Sequence, residues 1–400
     1  MKVDTNPKKI DEVLTRRIEQ ILPNKKSLVA LLQKRKIRLY LGIDPTAPKL
    51  HLGHTITLKK LQEFADLGHE AILVIGTGTV LAGDPSLREE ARPRISKREI
   101  EENIETWRKQ AGKILDFSKV KIKHNGEWLL KLTLKEILYI ASHISAIKLF
   151  QREMFQRRTK RGDTVFAHET LYPLLQGYDS VFLGVDLEIG GTDQTFNMLI
   201  GRELEQKMKN KEKFVLTRPM IMGIDGKPMS KTSGNCVWLE DSADEMFGKI
   251  MSIPDNLTLD YFKLLTSVPL KEIIQMKRNL KSKVVNPRDL KSHLAREIVS
   301  LYHSRAAADK AEKEFNRVFK EKKAPSKMAI FVVPKRKYQI LNFLVHLKLT
   351  SSKSEAKRLI EQGGVRINGR IQKDWQEKIE MRNEMIIQVG KRKFVKIAAR

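Results

Sequence analysis

Two histidines three residues apart close the segment Tyr40-Leu-Gly-Ile-Asp-Pro-Thr-Ala-Pro-Lys-Leu-His-Leu-Gly-His54. Imidazoles at His51 and His54 can donate hydrogen bonds to phosphate or ribose oxygens. The free N–H groups of a helix N-terminus favour anions, and Gly53 lacks a Cβ, so a flat base or a ribose can approach the backbone there. This is the composition of a nucleotide site, although on spacing alone a helix cap or a surface feature explains the pair equally well. A metal site is not expected. His-x-x-His is not the i, i+4 zinc pattern, and the one cysteine, Cys236, cannot supply a cysteine cluster.

The flanking pattern says what positions the histidines. Arg38 to Ile43 reads as a short apolar strand, Pro45 and Pro48 force a turn, and Ile56, Leu61, Phe64 and Leu67 recur on one helical face before Gly68. A second apolar run, Ala71 to Ile75, leads into the glycine-rich turn Gly76 to Pro85. That turn ends in Asp84-Pro85, where a P-loop needs Lys-Ser/Thr, so it is not one. Residues 97 to 160 read as largely helical and highly charged, and Leu171 to Val181 as an apolar helix face. Val185 to Ile189 reads as a strand running into Gly190-Gly-Thr-Asp-Gln-Thr-Phe-Asn197, with a helix on to Leu204. Strand, glycine turn and helix in repetition predict an α/β, doubly wound, Rossmann-like domain over 1–220.

Met220 to Asn235 is a loop rich in glycine and proline that carries Lys227 and Lys231. Lysine-rich helices interrupted at Pro254, Pro269 and Pro287 follow, so that 221–320 reads as the loop plus a small α-helical domain. Residues 321–336 read as a linker, with a strand-like run at Ile330 to Val333. Beyond it lies a compact α+β module over 337–400: a helix from Tyr338 to Leu347, a second from Ser354 to Gln362, and a hairpin turning at Asn368-Gly369.

The chain has 400 residues and a formal charge of +28, a surplus that points to a polyanionic partner. Residues 335–400 alone hold 17 basic and 6 acidic residues, a net of +11. No apolar run of about 18 residues and no secretory segment is evident, so no membrane association is expected and the predicted location is cytoplasmic. Cys236 reads as a buried small side chain.

Together these motifs resemble the bacterial tyrosyl-tRNA synthetases, a family of class I aminoacyl-tRNA synthetases, along nearly the whole chain. His51-Leu-Gly-His54 is similar to the first class I signature and Lys227-Pro-Met-Ser-Lys-Thr232 to the second. Tyr172-Pro-Leu-Leu-Gln-Gly-Tyr-Asp179 and Gly190-Gly-Thr-Asp-Gln194 resemble the tyrosine and adenylate pocket, and the C-terminal module resembles an S4-like RNA-binding domain. The resemblance implies activation of L-tyrosine by ATP and transfer to tRNA(Tyr), with Mg2+ carried by the ATP and no metal held by the protein. It implies that His51, Thr46, Lys231 and Lys227 meet the phosphates and that Gly53, His54 and Thr57 lie at the ATP. Asp193 and Gln194 would contact ribose and carboxylate. Tyr40 and Asp179 would hold the phenol hydroxyl, and Asp84, Tyr172 and Gln176, with Asp44 beside them, the amino group. It further implies a homodimer, with residues 97–160 as the interface region.

Three departures stand out. Leu41 replaces a polar ribose contact of some relatives, and Pro228 stands where the first signature lysine is usual, leaving Lys227 one place early. Thr192 to Asn197 follows one of two bacterial branches. Two other functions stay open: a catalytically silent synthetase-like RNA-binding protein, and a ligase specific for tryptophan.

Overall fold

The structure is a computed structural model that describes residues 3–86, 95–231, 233–321, 324–325, 328–390 and 393–400. The chain divides into two compact units, Met1–Arg305 and Ala306–Arg400.

The first unit is built on a six-stranded sheet: β1 (Gln20–Leu22), β2 (Arg38–Ile43), β3 (Glu70–Ile75), β4 (Val120–His124), β5 (Leu187–Gly191) and β6 (Phe214–Arg218), in the order β1-β6-β5-β2-β3-β4. β2 to β6 run parallel and only β1 is antiparallel, paired with β6. The chain lays β2, β3 and β4 outward on one side, then returns to lay β5 and β6 on the other. The carboxyl ends of β2 and β5 therefore flank a topological switch point, where open α/β sheets leave a crevice. β3 and β5 are buried almost throughout, as apolar strands covered on both faces must be.

Three of these strands, β1, β4 and β6, are absent from the sequence reading. β4 interrupts the stretch 97–160, which is otherwise largely helical as expected. Val120-Lys-Ile-Lys-His124 alternates apolar and basic residues with period two, and it forms an edge, where lysines discourage further pairing. The helix Ala167–Leu183 starts before the expected Leu171 and carries Pro173 within it. Its first turn is fixed by Glu169, which accepts the Phe166 N–H at 2.9 Å and pairs with the buried Arg158 at 2.7 Å. It crosses the helix Thr195–Lys209 at Gly177 and Gly201, so closely that a Cβ on Gly177 would stand 3.1 Å from the Gly201 Cα.

Helices Ala243–Met251, Thr258–Leu265, Leu270–Lys281 and Pro287–Tyr302 follow the proline punctuation. The N-terminal segment binds this region to the sheet domain. Arg16 donates to the carbonyls of Lys263, Thr266 and Val268 at 3.1, 2.7 and 2.8 Å, and Arg17 to those of Leu264 and Thr266 at 2.7 and 2.6 Å. Arg17 also pairs with Glu63 on the His-Leu-Gly-His helix.

In the second unit, Ala329–Val333 pairs in parallel with Lys393–Ala399, at the edge of a five-stranded sheet. The strand-like run inside the expected linker is thus part of the C-terminal sheet. Asn368 and Gly369 have φ of 48° and 80° between paired Ile367 and Arg370, the two-residue hairpin geometry that Asn-Gly favours. Helices Ile340–His346 and Lys353–Glu361 cover the sheet through Ile340, Phe343, Leu344 and Ile360.

Arg17→Ala is expected to lower the free energy of unfolding by about 3 kcal/mol, because two buried carbonyls and a carboxylate each lose a charged donor together. Chemical denaturation checks this, and a change below about 1 kcal/mol contradicts the clamp.

Candidate active site

A cavity of about 600 Å³ opens at the switch point. Its walls are the carboxyl ends of β2, β5 and β6, the start of the helix Leu52–Asp66, one stripe of the helix Ala167–Leu183, and the loop that carries Lys231.

His51 caps the helix Leu52–Asp66. Its Nδ1 accepts the Gly53 N–H at 3.1 Å, while the Nδ1 of His54 accepts the His51 N–H at 3.2 Å. A backbone N–H can only donate, so neither Nδ1 carries a proton and each neutral ring holds its hydrogen on Nε2. Burial, then the neighbouring His54, Arg218 and Lys231, push the His51 pKa down to about 2, and burial with Arg218 pushes His54 down to about 4. The pair is therefore uncharged at neutral pH and offers hydrogen bonds rather than cationic charge. A Cβ on Gly53 would lie 2.8 Å from the His51 ring, so the cap itself requires glycine there.

Lys231 reaches across the mouth of the cavity and donates to the Thr46 carbonyl at 2.9 Å. Its loop is ordered by the buried Asn235, which accepts the Ser230 N–H at 2.9 Å and donates to Asp225 at 2.8 Å and to the Pro228 carbonyl at 3.1 Å. Immediately downstream, the Leu52 N–H donates to the Val237 carbonyl at 3.0 Å and the Leu239 N–H to the Leu50 carbonyl at 2.9 Å. Two histidines and a lysine some 180 residues apart in sequence are thus joined by backbone pairing next to both.

Tyr172, Gln176 and Asp179 face the cavity from one stripe of their helix, at spacings of four and three. Asp179 is buried and accepts from Asn125 Nδ2 at 3.0 Å and Trp128 Nε1 at 2.9 Å. Burial raises its pKa to about 8, against the lowering effect of those two donors. Tyr172 donates to Asp44 at 2.9 Å, and Thr79 to the other Asp44 oxygen at 2.7 Å. Asp84 accepts from Gln194 at 2.9 Å and from the Ser86 hydroxyl at 2.7 Å, with Arg152 at 3.4 Å. Asp193 accepts from Gln194 at 3.1 Å.

The matches to known proteins agree with this arrangement. Residues 32–320 match the family described as tRNA synthetases class I (W and Y), and residues 320–397 match the Tyrosine--tRNA ligase SYY-like C-terminal domain. The chain belongs to the class I tRNA synthetase family of tryptophan and tyrosine. It is 42% identical to the tyrosine--tRNA ligase of Thermotoga maritima over 98% of both chains. To that of Carboxydothermus hydrogenoformans it is 43% identical, over 96% of this chain and 97% of the relative. In fold it is similar to the tyrosyl-tRNA synthetase of Archaeoglobus fulgidus complexed with L-tyrosine, with a TM-score of 0.64 at 23% identity over 77% of this chain and 100% of that one. A C-terminally truncated mitochondrial tyrosyl-tRNA synthetase of Aspergillus nidulans gives 0.65 at 22% identity, over 78% and 94%.

Of the residues picked out in this synthetase by sequence, Asp44, Thr46, His51, Gly53, His54, Thr57, Asp84, Tyr172, Gln176, Asp179, Asp193, Gln194 and Lys231 line the cavity. Two do not. Tyr40 is fully buried among Ile72, Val74, Trp128 and Leu183, and its hydroxyl lies 3.1 Å from Ser180 Oγ. It occupies the correct strand, but its hydroxyl is engaged beneath the cavity floor. Lys227 is exposed and outside the lining, because the turn at Gly226 and Pro228 directs the lysine out while Pro228 itself faces in. Thr232 lies outside the described residues.

Four residues that shape the site carry no local motif. Arg218, at the end of β6, lines the cavity with its Nε buried and without a hydrogen-bond partner. Asn125 lines it and Trp128 stands behind Asp179. Glu188 lines it from within the apolar strand β5. A charged residue inside an otherwise apolar strand was the one signal available, and it marked Glu188. Among the described residues no group of three or more His, Cys, Asp or Glu side chains is placed to hold a metal ion, and no helix is long and apolar enough to cross a membrane.

Acid is expected to destabilise the protein through the two histidines. In the unfolded chain they take up protons near pH 6.5, while in the folded chain they resist until about 2 and about 4. Between those limits the unfolded state binds more protons, so stability is complete above about pH 6.5 and falls as pH drops, by about 1.4 kcal/mol per unit for each such group. His54→Asn, which takes no proton, is expected to flatten the dependence of the denaturation midpoint between pH 6 and 5. An unchanged slope would contradict the assignment.

Proposed function

We propose that the chain is a tyrosine--tRNA ligase: it joins L-tyrosine to ATP, forming tyrosyl-adenylate and pyrophosphate, then transfers the tyrosyl group to the terminal adenosine of tRNA(Tyr). The observation that carries this reading is a single cavity with an amino-acid wall and a phosphate wall. The first is the Tyr172, Gln176 and Asp179 stripe; the second is His51, His54, Lys231 and Arg218.

In the first step the tyrosine carboxylate attacks the α-phosphorus in line. The bond from that phosphorus to the bridging oxygen breaks, and pyrophosphate leaves with its electron pair. The protein forms no covalent bond; it contributes alignment and stabilisation of the phosphate oxygens. His51 and His54 donate neutral hydrogen bonds through Nε2, His51 towards the phosphates and His54, with Thr57, towards the ribose. Positive charge comes from Lys231, which leaves Thr46 to meet the phosphates, and from Arg218. Asp193 and Gln194 hold ribose and carboxylate. Mg2+ arrives with the triphosphate as part of the substrate. Asp179 meets the phenol hydroxyl, and Asp84, Tyr172 and Gln176 the ammonium group, with Asp44 orienting Tyr172.

Asp179 is also what favours tyrosine over tryptophan. A carboxyl held in place by Asn125 and Trp128 suits the phenol hydroxyl at the end of the side chain, and a ligand without that hydroxyl forgoes the contact. The basic second unit, with its helices over a five-stranded sheet, serves as an S4-like tRNA-binding domain, and the helices of 243–302 lie on the anticodon side. Charging takes place in the cytoplasm.

The protein is expected to catalyse tyrosine-dependent exchange of pyrophosphate into ATP, with phenylalanine and tryptophan inactive. Lys231→Ala should reduce exchange at least about 100-fold while leaving tRNA affinity within about twofold. Absence of exchange in folded protein with intact tRNA binding would favour the silent RNA-binding reading, and exchange driven by tryptophan the other ligase.

We further propose a homodimer. Leu134 and Leu138, one helical turn apart, are 71% and 61% exposed, and Tyr139 and Ile147 lie open near them. Such an apolar surface calls for a cover, and a second copy is the partner the family supplies. Leu134→Asp combined with Leu138→Asp is expected to halve the mass measured by light scattering; a mass unchanged by the substitutions would place the interface elsewhere.

A further inference from the structure

Below the amino-acid wall of the cavity lies a buried charge pair that the reaction above does not use. Glu188 in β5 and Lys213 just before β6 are ion-paired, with 2% and 0% of their side chains exposed. Lys213 also donates to Ser180 Oγ at 2.8 Å, Ser180 donates to Glu188 Oε2 at 3.4 Å, and the Tyr40 hydroxyl lies 3.1 Å from Ser180 Oγ. The protons balance if Ser180 accepts from Lys213 and Tyr40 and spends its own hydrogen on Glu188.

The second carboxylate oxygen has a different task. Glu188 Oε1 accepts from Gln176 Nε2 at 3.0 Å. A carboxylate paired with a lysine can only accept, so the Gln176 amide must turn its NH2 group towards Glu188 and its carbonyl oxygen away. That Gln176 Oε1 is buried and has no hydrogen-bond partner, and both residues line the cavity. A buried acceptor without a donor is costly until a ligand supplies one. Tyrosine brings two donor groups, the phenol hydroxyl and the ammonium. With the hydroxyl at Asp179, the ammonium remains.

We propose that Glu188, anchored by Lys213, is a positioning residue that fixes Gln176 as an acceptor for the ammonium group of the substrate. The inference rests on the reading that the cavity binds L-tyrosine. It makes a specific claim about Glu188→Gln. The single carbonyl oxygen of the new side chain is drawn to Lys213, its NH2 group then faces Gln176, and the Gln176 amide turns over, presenting N–H donors to an ammonium ion.

Tyrosinol, which keeps the ammonium and lacks the carboxylate, and 3-(4-hydroxyphenyl)propanoate, which keeps the carboxylate and lacks the ammonium, separate this role from general damage. In competition against labelled tyrosine, E188Q is expected to weaken tyrosine and tyrosinol by roughly 10- to 100-fold. The deamino acid should change by no more than about twofold, as should the KM for ATP in exchange. Equal losses for tyrosinol and the deamino acid, or no loss for either, would overturn the proposal. Should E188Q not fold, the paired change Glu188→Leu with Lys213→Met replaces the buried ion pair by apolar side chains of similar volume, and the same ligand pattern is expected. If the unmodified protein binds none of these ligands, the tyrosine reading falls first. If it binds them all and the variant loses them evenly, only the role of Glu188 falls.

Discussion

The N-terminus of the helix Leu52–Asp66 is closed by its own histidines, and much of the site depends on that closure. His51 satisfies the Gly53 amide and His54 satisfies the His51 amide, while the Val237 carbonyl takes the Leu52 amide, so the first turn is fixed before any ligand arrives. Because the rings spend Nδ1 on the backbone, Nε2–H is what they offer the cavity. Because they are half-buried and desolvated beside Arg218 and Lys231, they remain neutral. A helix end that would otherwise present bare amides becomes a set of directed, uncharged donors. Positive charge is left to Lys231 and Arg218, which line the same cavity.

The same economy appears on the amino-acid wall. Each group that faces the cavity is oriented by one that does not react: Tyr172 by Asp44, Asp179 by Asn125 and Trp128, Asp84 by Ser86 and Gln194, Gln176 by Glu188. These supports come from the end of β2, from the segments after β3 and β4, and from β5 with the turn that follows it, elements that meet at the switch point of the sheet. A polar group in a site of low dielectric is useful when it need not reorganise, and this lattice of supports removes that freedom before any ligand arrives. Its cost lies in buried polar atoms such as Gln176 Oε1 and Arg218 Nε, which have no partner within the protein.

What the sequence revealed and what it hid follow from the range of each interaction. The strand at Arg38 to Ile43, the helix entered at His51-Leu-Gly-His54 and the Asn368-Gly369 hairpin are local patterns, legible because period and turn chemistry act over a few residues. β4 was hidden because lysines at alternate positions look like a charged helix face until the neighbouring strand is known. β6 follows a lysine-rich helix and gives no turn signal of its own. Thirteen of the residues that line the cavity were picked out through family motifs. Tyr40 and Lys227 fall outside it for geometric reasons: motif position fixes the strand or loop but not where the end of a side chain comes to rest. Arg218, Asn125 and Trp128 could not be found by pattern, since nothing local marks them; their importance arises from contacts across the sheet.

The site depends on the state of two imidazoles, and histidine nitrogen NMR of the free protein reads that state directly. Between pH 6 and 8, His51 and His54 are expected to appear as neutral rings protonated at Nε2, with no titration above about pH 5. An Nδ1–H tautomer, or a ring that gains a proton near pH 6.5, would mean that the histidines do not cap the helix and that the cavity carries its charge differently.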